Sequence, residues 1–391
     1  MALKGTNQEF GRPYNRRIVL ETIRQHGPIA RGDIAGRVGL TIQTVSNITR
    51  ELEEQDFLVG SRNSKRVRGY PATSLSINPE GGYAIGLNIT PVGIEAALVN
   101  LAGEIVILES RGRNWLKPTK AFAEIAKIIA GFKIRIPDKR LLGVGLAMPG
   151  PFDVESMSFV GPTTLEGWKD EPIKDKLASI AGCPVFIEVD HAAAAMGERL
   201  YGAGKDYKDY YYLFFSMGLG GCMVHDGLPV RGSCSNAGEI GHIPVVPNGE
   251  ACACGNRGCL ERYVSLEAHE RRSAVVGDAG WLAEAAPLFR SAIATIENLF
   301  DPQTIIIGGL SGTDYPQKLL AMAEPLANSV SSRRNRTAPR VIFSNTGHDA
   351  ALRGAASLAI SGALTPRFGM MFTQDDSGAL RDPVFERGAA A

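Results

Sequence analysis

A chain of 391 residues with 44% hydrophobic and 21% charged residues has the composition of a folded globular protein and the length for two or three domains. Its net charge of +1 excludes a polycation overall, and it contains no run of about 18 apolar residues that could cross a bilayer. The opening MALKGTNQEFGRPYNRR lacks the apolar core of a secretory signal. Six cysteines in so long a chain do not suggest a disulfide framework. A cytoplasmic protein without a membrane partner is expected.

The charge is unevenly placed. Residues 1–75 carry 12 Lys and Arg against 7 Asp and Glu, a net of +5, which leaves −4 for the other 316 residues. A basic head on an acidic body suits an anionic partner for the head. In that head, Asn15 to His26 sets Ile18, Val19 and Ile23 on one helical face, and Gly27-Pro28 stops it. A second short helix over Ala30–Val38 carries Ile34, Ala35 and Val38 at helical spacing and breaks at Gly39. A third, capped by Thr41, sets Val45, Ile48 and Leu52 towards a core. Gln43, Thr44, Asn47 and Arg50 fall on its outer side, where amide, hydroxyl and guanidinium groups suit base edges and phosphates. Phe57-Leu58-Val59 then reads as a strand, and ATSLSI returns as its partner. Between them Arg62, Lys65, Arg66 and Arg68 form a basic wing able to neutralise phosphates or enter a minor groove. The pattern predicts a winged helix-turn-helix domain over 1–78 that binds DNA. A three-helix protein-interaction module with a charged hairpin is the plainer alternative.

After the polar join at 76–80 the pattern changes. GYAIGLNIT, GIEAALVN and EIVILESRGR read as three antiparallel strands. A helix over Thr119–Phe132 and a buried strand LLGVGLAM follow. CPVFIEVD, the helix HAAAAMGERLYG, a strand YYLFFSMGLGGCMV and TIIIGGL continue an α/β alternation to about residue 365. The Gly- and Ala-rich stretch 366–391 shows no periodicity and is expected to be a flexible tail.

Three of the six cysteines crowd into CACGNRGC, ten residues beyond His242. Cys252, Cys254 and Cys259 can offer three thiolates from one loop, Gly255 and Gly258 allow the tight wrap, and His242 can supply the fourth ligand. Four protein ligands leave no open position, so the expected metal is a structural Zn²⁺ within 242–259. Three reduced thiols in a loop are the plainer reading. Glu239 in AGEIGH and Glu261 in GCLE flank this loop, and Asp190 ends a strand, the usual place for a ligand group in an α/β sheet. Carboxylates and imidazole converging there suit a hydroxyl-rich ligand.

The wing, AMPGPFD, Glu188-Val189-Asp190, AGEIGH and CACGNRGCLE together resemble the ROK family of repressors and sugar kinases, over roughly residues 5–365. The likeness is greatest to the family's winged-helix repressors. It implies a two-lobed, actin-like (ribonuclease H-like) ATPase fold over 79–365. It also implies sugar contacts at Asp190, Glu239, His242 and Glu261, with His242 serving metal and sugar alike. In kinase members the aspartate matching Asp190 deprotonates the sugar hydroxyl. Here the usual Glu-Asn-Asp has Val189 at its centre, which cannot donate to a hydroxyl, and the neighbouring His191 is a candidate replacement.

Kinase members hold ATP phosphates with an Asp-x-Gly-Gly-Thr loop, which here reads Asn88-Ile89-Thr90-Pro91-Val92. An amide replaces the Mg²⁺-orienting carboxylate, Pro91 has no N–H and Val92 no hydroxyl. The second phosphate loop reads Ser216-Met217-Gly218. Phosphoryl transfer depends on positioning and charge neutralisation, so no catalytic residues, no ATP and no kinase activity are expected. The resulting expectation is a sugar-responsive repressor of a carbohydrate uptake or catabolism operon. It would act as a homodimer or homotetramer on operator DNA, released by a free or phosphorylated sugar. The alternative is an ATP-dependent sugar kinase with a DNA-binding head.

Overall fold

The structure is a computed structural model that describes residues 11–62, 73–112, 117–150, 152–153, 158–159, 165–169, 171–233, 235–309, 314–331, 336–364, 373–374, 380–382 and 384–385. The head comprises α1 (Gly11–His26), β1 (Ile29–Ala30), α2 (Arg31–Val38), α3 (Ile42–Glu54), β2 (Leu58–Arg62) and β3 (Thr73–Ile77). Its strands form an antiparallel sheet in the order β1-β3-β2. α2 ends on Gly39, whose φ of 69° is the left-handed conformation a helix stop requires. α3 starts at Thr41, whose side chain accepts the Thr44 N–H. Val45, Ile48 and Leu52 are buried against Ile18, Ile34 and Val38, so the apolar spacing of the three helices meets in one core. Leu52→Ala there should cost about 2–5 kcal/mol.

The body contains two five-stranded sheets. The first has the order β10-β7-β4-β5-β6, built from β4 (Tyr83–Thr90), β5 (Gly93–Asn100), β6 (Ile105–Gly112), β7 (Leu141–Met148) and β10 (Val185–Val189). β4 is buried on both faces, as expected of a central strand, whereas edge strand β6 alternates half-buried and exposed residues. α4 (Pro118–Arg135) and α5 (Ile173–Ala181) cover one face; β8 (Phe152–Asp153) and β9 (Ser158–Phe159) pair as a small ladder. The second sheet has the order β13-β12-β11-β14-β15, from β11 (Tyr210–Phe215), β12 (Leu219–His225), β13 (Leu228–Pro229), β14 (Thr304–Gly308) and β15 (Val341–Phe343). Its outer face packs on α7 (Leu266–Phe300) and α8 (Tyr315–Ala323).

Two further helices lie between the sheets. α6 (Asp190–Tyr201) packs its Ala192, Ala194 and Ala195 on the second sheet, and α9 (Ala350–Leu364) packs Leu352, Ala356 and Ala359 on the first. They meet through small residues: a Cβ on Gly354 would collide with the Ala193 carbonyl, and one on Gly197 with the Ala350 carbonyl. The alanine-rich HAAAAMGE stretch thus makes a close helix contact at the centre of a two-lobed α/β body.

The segment YYLFFSMGLGGCMV, expected as one strand, is a hairpin. β11 and β12 pair antiparallel about Ser216-Met217-Gly218, where the Ser216 N–H donates back to the Gly218 carbonyl at 2.9 Å. The long apolar run hid the turn.

Head and body share one continuous apolar cluster, from Ile18 and Leu52 to Ala84, Leu352 and Leu364. Arg140 of the body donates to the Gln55 and Gly81 carbonyls and lies 4.1 Å from the Phe57 ring centre. Beyond α9, β16 (Thr373–Gln374) pairs with β17 (Leu380–Arg381). Asp382 and Phe385, within the stretch expected to trail freely, are instead buried against the head. A buried cation and an aromatic ring on the head attract them.

Candidate functional site

The outer face of α3 is built as its spacing implies. Gln43, Asn47 and Arg50 are exposed and Thr44 half-buried, while Val45, Ile48, Thr49 and Leu52 turn inward. Gln43 Nε2 donates to Asn47 Oδ1 at 3.2 Å, which aligns the two amides along one edge. Arg31 pins the inner side through Thr49 Oγ1 at 2.8 Å and Glu53. Arg62 ends β2 opposite Thr73. The wing residues Lys65, Arg66 and Arg68 lie outside the described residues.

The cysteine loop closes on His242. Ligand atoms of His242, Cys252, Cys254 and Cys259 all lie within 4.8 Å of one another. His242 Nδ1 is 3.5 Å from Cys252 Sγ, and Cys254 Sγ is 3.6 Å from Cys259 Sγ. Tetrahedral thiolates about 2.3 Å from a zinc ion would stand about 3.8 Å apart, so the set fits such an ion. Gly255 and Gly258 have φ of 92° and 77°, and a Cβ on Gly258 would collide with the Val246 carbonyl. Without a metal, burial and hydrogen bonds with the Cys254 and Cys252 sulfurs push the Cys259 thiol up to about 12. A bound divalent cation would reverse that preference by holding thiolates.

His242 faces two ways. Its Nδ1 points to the sulfurs, and its Nε2 is 3.9 Å from Glu239 Oε2, both side chains about one-third exposed. Glu261, just beyond Cys259 on the same loop, accepts the Leu219 N–H at 3.1 Å. At the opposite end of that short stretch, Gly220 lies against His191, where a Cβ would sit 2.9 Å from Nδ1. The start of β12 therefore lies between the metal loop and the first turn of α6. Asp190 opens α6, where a carboxylate is favoured by the helix dipole, and its Oδ1 accepts the His191 N–H at 2.7 Å. His191 is buried. Burial opposes its charge, but the hydrogen bond and charge of Asp190, then Glu239 and Glu188, hold its pKa above the ordinary value. Asp190 follows the end of β10 in the first sheet, whereas Glu239, His242 and Glu261 belong to the second lobe, and the charge of Glu239 reaches His191 beside Asp190.

The hairpin matching the first phosphate loop joins β4 to β5. Asn88 is buried and its amide donates to Glu95 Oε2 at 3.3 Å. Thr90 Oγ1 donates to the Gly93 carbonyl at 3.3 Å and accepts the Val92 N–H at 3.3 Å. Three donors at this tip, the Asn88 amide, the Thr90 hydroxyl and the Val92 N–H, are thus engaged within the hairpin. At the second loop, Ser216 Oγ is likewise bonded to the Gly218 carbonyl at 3.3 Å.

Two connections were not legible in the sequence. Arg231 bonds Glu188, and Arg17 bonds Asp382. A lone Arg eight residues before Glu239 was the one available signal for the first.

A winged-helix head joined to a two-lobed body with a Cys/His loop defines a class of regulator-like, kinase-related proteins. The ROK family profile matches residues 84–361, and this chain belongs to that family. A MarR family profile matches residues 17–66 of the head. The xylose repressor of Bacillus subtilis (strain 168) is 26% identical over 375 residues, covering 90% of this chain and 97% of that protein. The DNA-binding transcriptional repressor Mlc of Escherichia coli (strain K12) is 31% identical over 257 residues, covering 65% of this chain and 63% of that protein. Among solved structures, a ROK transcriptional regulator described as a homologue of E. coli Mlc matches with TM-score 0.71 and 23% identity, over 89% of this chain and 95% of that one. A ROK glucokinase from Streptomyces griseus, in complex with glucose and AMPPNP, matches with TM-score 0.60 and 27% identity, over 72% of this chain and all of that one.

Proposed function

We propose that this protein is a sugar-responsive transcriptional repressor without kinase activity. The observation that carries the reading is an outward polar recognition helix on a body whose β4–β5 hairpin spends the Asn88, Thr90 and Val92 donors on its own acceptors; the sugar is placed in a cleft between the lobes. Gln43, Thr44, Asn47 and Arg50 read the major groove, and Arg62, Lys65, Arg66 and Arg68 hold phosphates in the flanking groove. Asp190, Glu239, His242 and Glu261 accept hydroxyl hydrogen bonds from a monosaccharide. The ligand's binding shifts the lobes, and through the shared apolar cluster the head, to an arrangement that grips the operator less well. The likeness to the xylose repressor and to the repressor Mlc supports a repressor.

His242, Cys252, Cys254 and Cys259 would hold a Zn²⁺ ion, which when bound fixes the loop that delivers Glu261 and orients the Nε2 edge of His242. Domain limits of 1–78 for the head and 79–365 for the body follow the change from winged-helix strands to the first sheet. A two-fold dimer would match paired half-sites.

Kinase activity is the rival reading, favoured by Asp190 at a strand end and by likeness to the ROK glucokinase. The Asn88–Glu95 bond, the absent N–H of Pro91 and the engaged N–H of Val92 argue against it. Two assays on the full chain decide between them. Mobility shifts on DNA flanking its own coding sequence should show specific binding. Coupled ADP release with glucose, xylose and N-acetylglucosamine should show no turnover, and rates of about 1–100 per second would overturn the proposal.

A further inference from the structure

Glu188 and Arg231 stand on different lobes. Glu188 is on β10, an edge strand of the first sheet, and its side chain is 2% exposed. Arg231 follows β13, an edge strand of the second sheet, and is 34% exposed. Arg231 Nε and Nη2 donate to Glu188 Oε2 at 2.9 and 2.6 Å, while Glu188 Oε1 accepts the Val189 N–H at 3.2 Å. Beside Arg231, which is one of its walls, a cavity of about 390 Å³ is lined by Cys183, Ile187, Met196, Pro229 and Leu358. Ile187 of β10 and Pro229 of β13 both line it, so the two strand edges are not joined by dense packing on this flank, and the ion pair lies at its margin.

Each partner is tied to one half of the cleft. Asp190 lies two residues beyond Glu188. The Arg231 carbonyl accepts the Ala237 N–H at 3.1 Å, folding the chain back so that Gly238 lies against Gly221 and Glu239 follows at the cleft. We propose that Arg231 is a positioning residue: its ion pair with Glu188 is an inter-lobe clasp that sets the separation of Asp190 and Glu239. Burial of Glu188 gives the clasp its strength, because losing the guanidinium leaves a carboxylate in a poorly solvated place. The sensing part of this inference rests on the proposed function, and the structural part does not.

Hydrogen–deuterium exchange on the full-length chain tests the clasp without a ligand. Arg231→Gln removes the charge, Arg231→Lys keeps charge but not the two-pronged fit, and Glu188→Gln neutralises the partner in nearly the same space. In both Gln variants the amides of Val189, Ala237 and Ile240 should exchange about tenfold faster or more, with Arg231→Lys intermediate and the Ile18–Ile23 amides unchanged. Wild-type exchange in folded Gln variants would overturn the clasp. So would a uniform loss of protection that reaches α1, since the pair would then be a general stabiliser. In parallel, the wild type and Arg231→Gln are titrated with glucose, xylose and N-acetylglucosamine. For any sugar that protects the wild-type cleft, half-saturation should rise about tenfold in the variant while sugar-free DNA affinity stays within about twofold. Equal half-saturation would overturn the positioning role. A wild type indifferent to all three counts against the sugar-responsive reading, and the ligand-free exchange then judges the clasp by itself.

Discussion

Arg17 in the first helix and Asp382 near the end of the chain close a two-pronged ion pair across 365 positions of sequence, at 2.5 and 2.8 Å, with side chains 0% and 1% exposed. Arg17 Nε also donates to the Ala363 carbonyl at the end of α9. The nearby Phe385 ring lies 5.1 Å from that of Phe57, tilted by 48° to it, and sits beneath the Arg16 and Arg17 guanidinium groups. One arginine thereby ties the DNA-binding head to the body's central helix and to the returning C-terminal segment.

Breaking this tie by removing one partner should be costly. Arg17→Ala or Asp382→Ala leaves an uncompensated charge in an apolar seam and should destabilise the protein by about 3–5 kcal/mol. Replacing both, as Arg17→Met with Asp382→Leu, should recover most of that loss. Chemical denaturation of the three variants measures it, and equal stability of single and double variants would contradict it.

Arg50 is exposed on α3 beyond the core contacts. Arg50→Ala should weaken operator binding by about 1–3 kcal/mol and leave sugar affinity unchanged, as read by mobility shift and calorimetry. Glu239→Ala should do the reverse, keeping sugar-free DNA binding while abolishing the sugar response. Unfolding of the Glu239 variant would show that its role is structural.

The metal loop predicts a stoichiometry. The purified chain should hold one zinc ion per molecule, and Cys254→Ser should lower that content in elemental analysis. Chelation should expose residues 242–261 to proteases before it affects the head. An unchanged zinc content in the variant would remove Cys254 from the ligand set.

His191 predicts a pH dependence. Its pKa is raised above the ordinary 6.5, as burial is outweighed by Asp190, Glu239 and Glu188. A raised folded value favours the protonated, folded form. The stabilisation is fully present below the unfolded value and is lost as pH rises through the folded one. The melting-temperature gap between wild type and His191→Gln should therefore be larger at pH 6 than at about pH 8. A gap that widens with rising pH would contradict the sign.

Much of this was legible in local pattern. Val45, Ile48 and Leu52 declared the inner side of α3, and Thr41 its start, because helical period and capping are written within a few residues. The Cys252–Cys259 wrap was readable because Gly255 and Gly258 stand where the backbone needs positive φ. The turn inside YYLFFSMGLGGCMV was masked by apolar residues on both sides. Glu188–Arg231 and Arg17–Asp382 were out of reach for another reason: each joins segments that become neighbours only after sheets and helices have packed, and no spacing rule relates them.

In the proposed function, a sugar held between the lobes weakens the grip of the head on DNA. A mobility-shift titration of the zinc-loaded chain on its operator, repeated across a panel of free and phosphorylated monosaccharides, measures that coupling. One sugar in the panel should raise the DNA dissociation constant by about 5–150-fold. An operator affinity that no sugar in the panel changes would contradict it.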